Sequence, residues 1–189
     1  VKKVVSLSKD LKQLKLTKET PLNYSIQHYY FTTELRNKMD MLRKIIHASK
    51  PKKAIIFINK NYDIEKTVAK LKYHNLSVEG IHGSDNKQRR KNILDAFRKG
   101  EVKFLVASDL AARGLDISDV THIINLDMPE SPKDYLHRAG RTGRAGAKGI
   151  AISIVSNKKE EQGIKNCMKE LKISMIKKTL AEGKIIDIQ

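Results

Sequence analysis

Short apolar runs alternate with amphipathic segments along most of this chain, and no other feature constrains its fold as strongly. Five such runs lie at 54–58, 78–82, 103–108, 121–128 and 149–155. Apolar runs of this length without strict alternation are typical of parallel strands that helices cover on both faces. Between them, apolar residues recur at helical spacing, as in Ile64, Val68 and Leu71. The alternation predicts a single α/β domain whose parallel β-sheet is sandwiched by helices, with 54–58, 103–108 and 149–155 as interior strands.

The first part of the chain follows a different pattern. Residues 26–32 alternate between apolar and polar and predict an edge strand. Residues 34–49 predict a helix with four apolar residues facing inward: Leu35, Met39, Leu42 and Ile46. Residues 1–22 show little pattern, and we expect an interdomain linker or N-terminal extension there, followed by one folded domain over 23–189.

Two later helices carry specific signals. Ser131 followed by Pro132 predicts a helix start, with the serine as N-cap and the proline at the first helical position. In the last long helix Ile164, Cys167 and Leu171 share one face. Cys167, the sole cysteine of the sequence, is therefore predicted to be a core residue rather than a reactive thiol.

Charge narrows the class of partner. Lys and Arg number 38 against 21 Asp and Glu, which gives a formal net charge of +17. Such a surplus favours a polyanionic partner, nucleic acid first, although lysine-rich faces that merely keep a domain soluble are an alternative. The sequence has no apolar stretch of membrane-spanning length, no signal-peptide pattern and no cysteine framework for disulfides or zinc. We expect a cytoplasmic, monomeric piece of a longer protein, without a membrane association.

The segment HRAGRTGRAG at 137–146 is the strongest chemical signal. It places Arg138, Arg141 and Arg144 among three glycines, at a spacing that suits binding of phosphate oxygens by several guanidinium groups. The alternative is an arginine-rich loop engaged in surface salt bridges.

Two further segments add to it. At 108–116 a predicted strand delivers Ser108 and Asp109 to its carboxyl end, and a small-residue turn leads to Asp116, which could accept a hydrogen bond from a sugar hydroxyl or simply cap a turn. At 87–91 cations crowd a predicted helix start that Ser84 would cap; they oppose the helix dipole unless a phosphate binds there, or they are tolerated surface charge.

These segments, in this order, resemble the C-terminal RecA-like domain of DEAD-box ATP-dependent RNA helicases. The stretch AIIFIN at 54–59 is similar to motif IV of that family, FLVASDLAARGLD at 104–116 to motif V and YLHRAGRTGRAG at 135–146 to motif VI; LDMP at 126–129 also fits. The resemblance extends over residues 24–185. His137 favours this family, because related helicases usually carry Gln in its place.

The resemblance implies an ATP site. Asp116 matches the residue that binds the ribose, with Gly114 beside it. Arg141 and Arg144 match the two catalytic arginines that reach the γ-phosphate, and Arg144 is the implied arginine finger. The implied cofactor is ATP with Mg²⁺, and the metal would be held by the first domain of the motor.

The resemblance also implies two kinds of interface. Gly83, Lys87, Arg90 and Ser108 match positions that hold RNA phosphates, while His137, Asp109 and Arg138 are implied to face the N-terminal RecA-like domain of the same protein. The family usually has Thr at position 108, Gln at 87 and an acidic residue near 91, so this chain departs from the pattern in its predicted RNA face.

Parts of the chemistry are absent from the sequence. It contains neither a G-x-x-x-x-G-K-[ST] phosphate loop nor an Asp-Glu-Ala-Asp run, so we expect that this chain does not hydrolyse ATP by itself. Two alternative functions stay open at this point. One is a helicase of another branch that acts on DNA, and the other is a non-catalytic nucleic-acid-binding module.

Overall fold

The computed structural model of the protein describes residues 25–114, 117 and 119–188. The strands are β1 (Ile26–Thr32), β2 (Ala54–Phe57), β3 (Val78–Ile81), β4 (Phe104–Ala107), β5 (His122–Asn125), β6 (Gly149–Val155), β7 (Ile176–Ala181) and β8 (Lys184–Asp187). The α-helices are α1 (Lys38–Ser49), α2 (Asp63–Tyr73), α3 (Lys87–Lys99), α4 (Asp109–Ala112), α5 (Pro132–Ala139) and α6 (Lys158–Leu171). Among these helices, none has both the length and the apolar character that crossing a membrane would require. The predicted linker at 1–22 lies outside the described residues.

The strands form one sheet in the order β3-β4-β2-β5-β6-β1-β7-β8. Every neighbouring pair is parallel except β7 with β8, so the predicted parallel α/β fold is confirmed. Strands β2, β4 and β6 are interior, as expected. The prediction that 26–32 forms an edge strand is wrong, because β7 pairs with β1 through Tyr29 and Tyr30.

Helices cover both faces of the sheet and bury a core on each. Leu42 and Ile46 from α1 pack with Ile64 and Leu71 from α2 on one face. Helices α3, α5 and α6 cover the other face through several fully or nearly fully buried side chains: Ile93, Phe97, Tyr135, Ala139, Ile164 and Cys167. The core position predicted for Cys167 is confirmed, and burial raises the pKa of its thiol to about 11.

The start of α1 differs from the prediction. Leu35 is 72% exposed instead of inward, because it belongs to a 3₁₀ turn, Leu35–Asn37, whose three-residue repeat is out of phase with the α-helix that follows. Lys38 is buried in the first turn, where its Nζ donates to the carbonyl of Leu126 at 2.8 Å and to Glu160 at 2.7 Å. This cation binds the carboxyl end of β5 to the start of α6.

Two buried histidines make stability depend on pH. His28 in β1 lies 2.8 Å from the hydroxyl of Tyr135, and His122 at the start of β5 has a buried Nε2 with no hydrogen-bond partner among the described residues. Desolvation lowers the pKa of each to about 4 from an ordinary value of 6.5. Between those pH values the unfolded chain binds protons that the folded chain does not, so stability falls as the pH is lowered through this window.

We therefore expect the free energy of unfolding to be lower by a few kcal/mol at about pH 5 than at about pH 7.5, with at most about 1.4 kcal/mol per pH unit from each histidine. Urea denaturation at both pH values measures the difference, and His122→Gln should reduce it. His74 is exposed, so His74→Gln is the matched control and should leave the difference unchanged. An equal pH dependence in His122→Gln and the unaltered chain would contradict the assignment.

Candidate functional site

A cleft of about 310 Å³ lies at the carboxyl edge of the sheet, where ligands of open parallel sheets bind. It is formed where β2 and β4 end, between the single turn α4 and the length of α5. Its walls are Phe57, Asp109, Ala112, Arg113, Asp134, His137, Arg138 and Arg141. Four residues that the sequence singled out thus come together here: Asp109, His137, Arg138 and Arg141.

Arg138 is the fixed centre of this cleft. Its side chain is 1% exposed, and its guanidinium carbon lies 5.0 Å from the ring centre of Phe57. The five N–H groups that an arginine carries all point at acceptors. These are both carboxylate oxygens of Asp109 (2.7 and 2.6 Å), the side-chain oxygens of Asn59 (2.8 Å) and Asn125 (3.2 Å), and the carbonyl of Asp127 (2.8 Å).

This bonding ties together the ends of three parallel strands, since Asn59, Asp109 and Asn125 follow or end β2, β4 and β5. The structure therefore gives Arg138 an intradomain role in which it is paired, as in the alternative interpretation, but buried instead of engaged in a surface salt bridge. A contact of Arg138 with another domain stays a prediction. Asp109, its partner, is 42% exposed and keeps an open side toward the cleft.

Polar residues next to Arg138 extend the network, although their sequence pattern did not mark them as part of the site. The backbone N–H of Asn59 donates to the carboxylate of Asp127 at 3.0 Å, and its side-chain amide donates to the carbonyl of Met128 at 3.0 Å. Lys38 lies 3.7 Å from the other oxygen of Asp127. Asn59 and Asp127 lie within the stretches AIIFIN and LDMP, so the sequence signal for both is a polar residue at the end of an apolar run.

Arg141 and His137 approach the cleft from the end of α5. Arg141 is half-buried, and its pKa is lowered, first by desolvation and then by the neighbouring charge of Arg144. His137 is exposed on the last turn of α5. Arg141 and Arg144 are thus held close together despite their mutual repulsion, as two cations in a binding site for an anion would be.

The glycine-rich loop after α5 is held by close packing. Gly143 has a φ of +66°, and a Cβ there would lie 2.6 Å from a side-chain carbon of Ile26. Its buried neighbour Thr142 donates its hydroxyl proton to the carbonyl of Val120. Arg144 is exposed and follows in a 3₁₀ turn, Arg144–Gly146, with its Nε 3.1 Å from the carbonyl of Gly140. The loop backbone is therefore anchored while the Arg144 side chain reaches the surface.

The predicted RNA residues surround the other side of α4. Ser108 is 5% exposed and caps α4, since its hydroxyl accepts from the N–H of Ala111 at 3.4 Å. The guanidinium of Arg90 donates to the carbonyl of Ala111 at 2.6 Å and to that of Arg113 at 3.3 Å. Gly83 is exposed beside Leu110, whose side chain would lie 3.4 Å from a Cβ at Gly83.

The start of α3 corrects one prediction. Its N-cap is Asn86, whose side chain accepts from the N–H of Arg89 at 2.8 Å, and not Ser84. Asp85 explains the later start, because its carboxylate accepts from the N–H of His82 at 2.8 Å and pairs with Arg89 at 3.0 Å, which folds 82–85 into a turn. Lys87 is the first helical residue and is exposed.

The single turn α4 joins the two groups of residues. Its Asp109 binds Arg138 in the cleft, while its Leu110 lies against Gly83 and the carbonyl of its Ala111 accepts from Arg90. Gly114 follows with a φ of +69°, a conformation that favours glycine. Asp116, the residue implied to bind the ribose, lies outside the described residues. Within the described part of the chain, no group of His, Cys, Asp and Glu is arranged to hold a metal ion.

Comparison with known proteins points to one family. Residues 37–146 match the family described as helicase conserved C-terminal domain. The chain is 36% identical over 162 residues to the DEAD-box ATP-dependent RNA helicase CshC of Bacillus cereus, and covers 41% of it. It is 40% identical over 132 residues to CshA of Geobacillus kaustophilus, and covers 28% of it. These alignments span 86% and 70% of the chain, respectively.

Solved structures give the same result. The fold is similar to the Escherichia coli DEAD-box protein SrmB bound to the regulator of ribonuclease activity RraA, with a TM-score of 0.79, 30% identity, and coverage of 84% of this chain and 94% of that chain. It is also similar to Saccharomyces cerevisiae Dbp5 bound to RNA and ADP BeF3, with a TM-score of 0.76 and 32% identity. That match covers 81% of this chain and 41% of Dbp5.

Proposed function

The chain is a C-terminal RecA-like domain of the DEAD-box helicase family, and we propose that it is the second motor domain of an ATP-dependent RNA helicase. In the intact protein, ATP and RNA bind in an interdomain cleft, between this domain and the N-terminal RecA-like domain. Closure brings Arg141 and Arg144 onto the γ-phosphate and bends the bound RNA strand, so that a short duplex loses base pairing locally. Hydrolysis then reopens the cleft.

The observation that carries this proposal is the convergence of Asp109, His137 and Arg141 at one cleft whose shape Arg138 fixes. A rigid wall with cationic side chains suits a partner domain that already holds ATP and presents its phosphates to this wall. We expect His137 and the open side of Asp109 to meet the N-terminal domain when the interdomain cleft closes.

The residues present fit one half of an ATP site. Arg141 and Arg144 supply cations for phosphate oxygens, and Gly114 lies beside the residue implied to bind the ribose. Bound Mg²⁺ would neutralise charge on the transferring phosphoryl group, and residues of the first domain would hold it. Hydrolysis then depends on both domains.

Two other functions are less well supported. A DNA helicase of another branch is disfavoured by His137 in the motif VI stretch and by relatives that carry the name RNA helicase. A non-catalytic binding module is disfavoured by Arg141 in the wall of the cleft. Stimulation of the parent protein's ATPase by RNA but not by DNA would exclude the DNA helicase. Any RNA-dependent hydrolysis of ATP would exclude the non-catalytic binding module.

The proposed RNA-binding residues predict how RNA affinity depends on salt concentration. We expect chain 1–189 to bind single-stranded RNA weakly, and Arg90→Ala to weaken that binding similarly across sequences. Each phosphate contact contributes about 0.7 to the slope of log K against log salt concentration, so the loss of one should flatten the slope by roughly that amount. Fluorescence polarisation across a salt series measures both effects.

Arg98→Ala is the matched control, because it removes the same charge from the exposed far end of α3. It should leave the slope nearly unchanged. Since Arg90 also binds the α4 carbonyls, melting of the variant must accompany the titration. A folded Arg90→Ala protein with the unaltered slope would remove Arg90 from the RNA face.

A further inference from the structure

A groove between α1 and α2 lies away from the cleft, and we propose that it binds a short acidic peptide segment with two apolar anchor side chains. The groove encloses about 590 Å³. Met39 and Arg43 from α1 form one wall, and Ala69, Lys70 and Tyr73 from α2 form the other, with Leu71 below them. This inference does not rest on the proposed motor function.

The groove has an apolar floor and an exposed aromatic rim. Leu71 is 1% exposed, and Met39 is half-buried. Ala69 is exposed and small, which leaves room for an incoming side chain, and Tyr73 stands 83% exposed one helical turn further along the same face. A tyrosine at the edge of an apolar hollow offers both contact area and a hydroxyl, the combination that binding surfaces favour.

A second hollow continues the first along the same helix pair. It encloses about 190 Å³, shares Met39 and Lys70 with the first, and reaches Leu35 and Ile58. Leu35 is 72% exposed at its rim. Two apolar hollows joined past Met39 suit two anchor side chains on one segment, as in peptides that lie in a helix-lined groove.

The charged residues along the groove determine which net charge a bound peptide should carry. Arg43 and Lys44 both pair with Asp40, at 2.6 and 2.7 Å, so two cations share one carboxylate. Lys66 and Lys70 lie along α2, and neither has an ion pair with any residue in the described ranges 25–114, 117 and 119–188. The second hollow is also lined by Asp63, Asp127 and Lys38, and along the two hollows together the cations still outnumber the carboxylates. Carboxylates flanking apolar side chains complement this arrangement.

The location leaves the cleft free. Helices α1 and α2 cover the sheet face opposite to α3, α5 and α6. Since α2 runs back from the carboxyl end of β2, Tyr73 in the first hollow lies toward the amino edge of the sheet, whereas the second hollow reaches Asp127 at the carboxyl edge. No described residue lines both a hollow and the cleft, so a bound peptide would occupy this domain together with ligands of the cleft.

Selection from a random display library of peptides of about 12 residues against chain 1–189 tests the proposal. We expect enriched peptides to carry a net negative charge and two apolar side chains, and to bind in fluorescence polarisation. Ala69→Glu fills the groove with a carboxylate on an exposed helical position where Glu is well tolerated, and it should weaken binding by at least about tenfold.

Lys70→Glu should weaken binding in the same way, and it carries the test if melting shows that Ala69→Glu does not fold. Lys169→Glu is the control, because it makes the same charge change on an exposed position of α6, on the opposite face. It should leave the affinity within about twofold. Failure to enrich peptides, enrichment of basic ones, or binding that ignores both groove variants would overturn the proposal. So would a tenfold loss of oligouridine binding in the groove variants, which would make the groove an RNA site.

Discussion

Replacing Arg144 with alanine in the full two-domain protein should lower the rate of ATP hydrolysis by roughly two orders of magnitude or more, given what arginine fingers contribute to phosphoryl transfer. The physical reason is that the loop backbone at this position is fixed by packing while the Arg144 side chain remains accessible. Gly143 is locked against Ile26, so the backbone is fixed, while the Arg144 side chain is exposed at the surface. A guanidinium held in this way can stabilise charge on the transferring phosphoryl oxygens once the interdomain cleft closes.

Stability should change little in the same variant, because exposed contacts such as that between Arg144 Nε and the Gly140 carbonyl contribute at most about 1 kcal/mol. RNA affinity without nucleotide should also stay close to the original. Steady-state ATPase at saturating RNA, with thermal melting in parallel, measures all three. Arg36→Ala removes another exposed arginine and is the control. Near-normal turnover, or a collapse of the melting temperature, would make Arg144 a structural residue.

Arg138→Lys should instead destabilise the isolated domain by about 3 kcal/mol, although it keeps the charge. A lysine has three donors in place of five and cannot form the planar fork that spans Asp109, Asn59 and Asn125. It also loses the stacking over Phe57. Because the lost contacts are buried, their acceptors cannot all regain water, and each unpaired group costs free energy.

Urea denaturation of chain 1–189 measures this effect, and the melting temperature should fall on the order of 10 °C for a domain of this size. The matched control is Arg98→Lys, at an arginine whose side chain is 48% exposed. If Arg138→Lys changed the free energy of unfolding by no more than the about 0.5 kcal/mol typical of surface substitutions, the five-bond arrangement would not describe the folded state.

Most of the fold could be predicted because buried parallel strands leave apolar runs in the sequence. Strands β2, β4 and β6 carry such runs, and the structure places them inside the sheet. The β7–β8 hairpin could not be recognised in this way, since its residues 176–187 mix lysines with apolar residues and are largely exposed. Without that hairpin, β1 has no neighbour on its outer side, and its sequence pattern predicts an edge strand.

The candidate site was predicted unevenly for a similar physical reason. Glycines and arginines in 137–146 identify a phosphate-binding pattern, but spacing alone does not tell which guanidinium is buried. Arg138 and Arg144 belong to one motif, yet one is enclosed by five acceptors and the other is exposed. The acceptors Asn59, Asn125 and Asp127 come from segments far apart in the sequence, so the network exists only after the strands are aligned.

The most direct test of the proposed half-motor is a comparison of ATP hydrolysis by purified chain 1–189 with that of the parent protein that contains both domains. Phosphoryl transfer needs a phosphate cradle, a metal ion and a positioned water as well as the arginines. We expect no hydrolysis above background from chain 1–189, with or without RNA, and RNA-stimulated hydrolysis from the parent protein that Arg144→Ala removes. Sustained turnover by chain 1–189 alone, or a parent protein whose hydrolysis ignores both RNA and Arg144, would contradict the account.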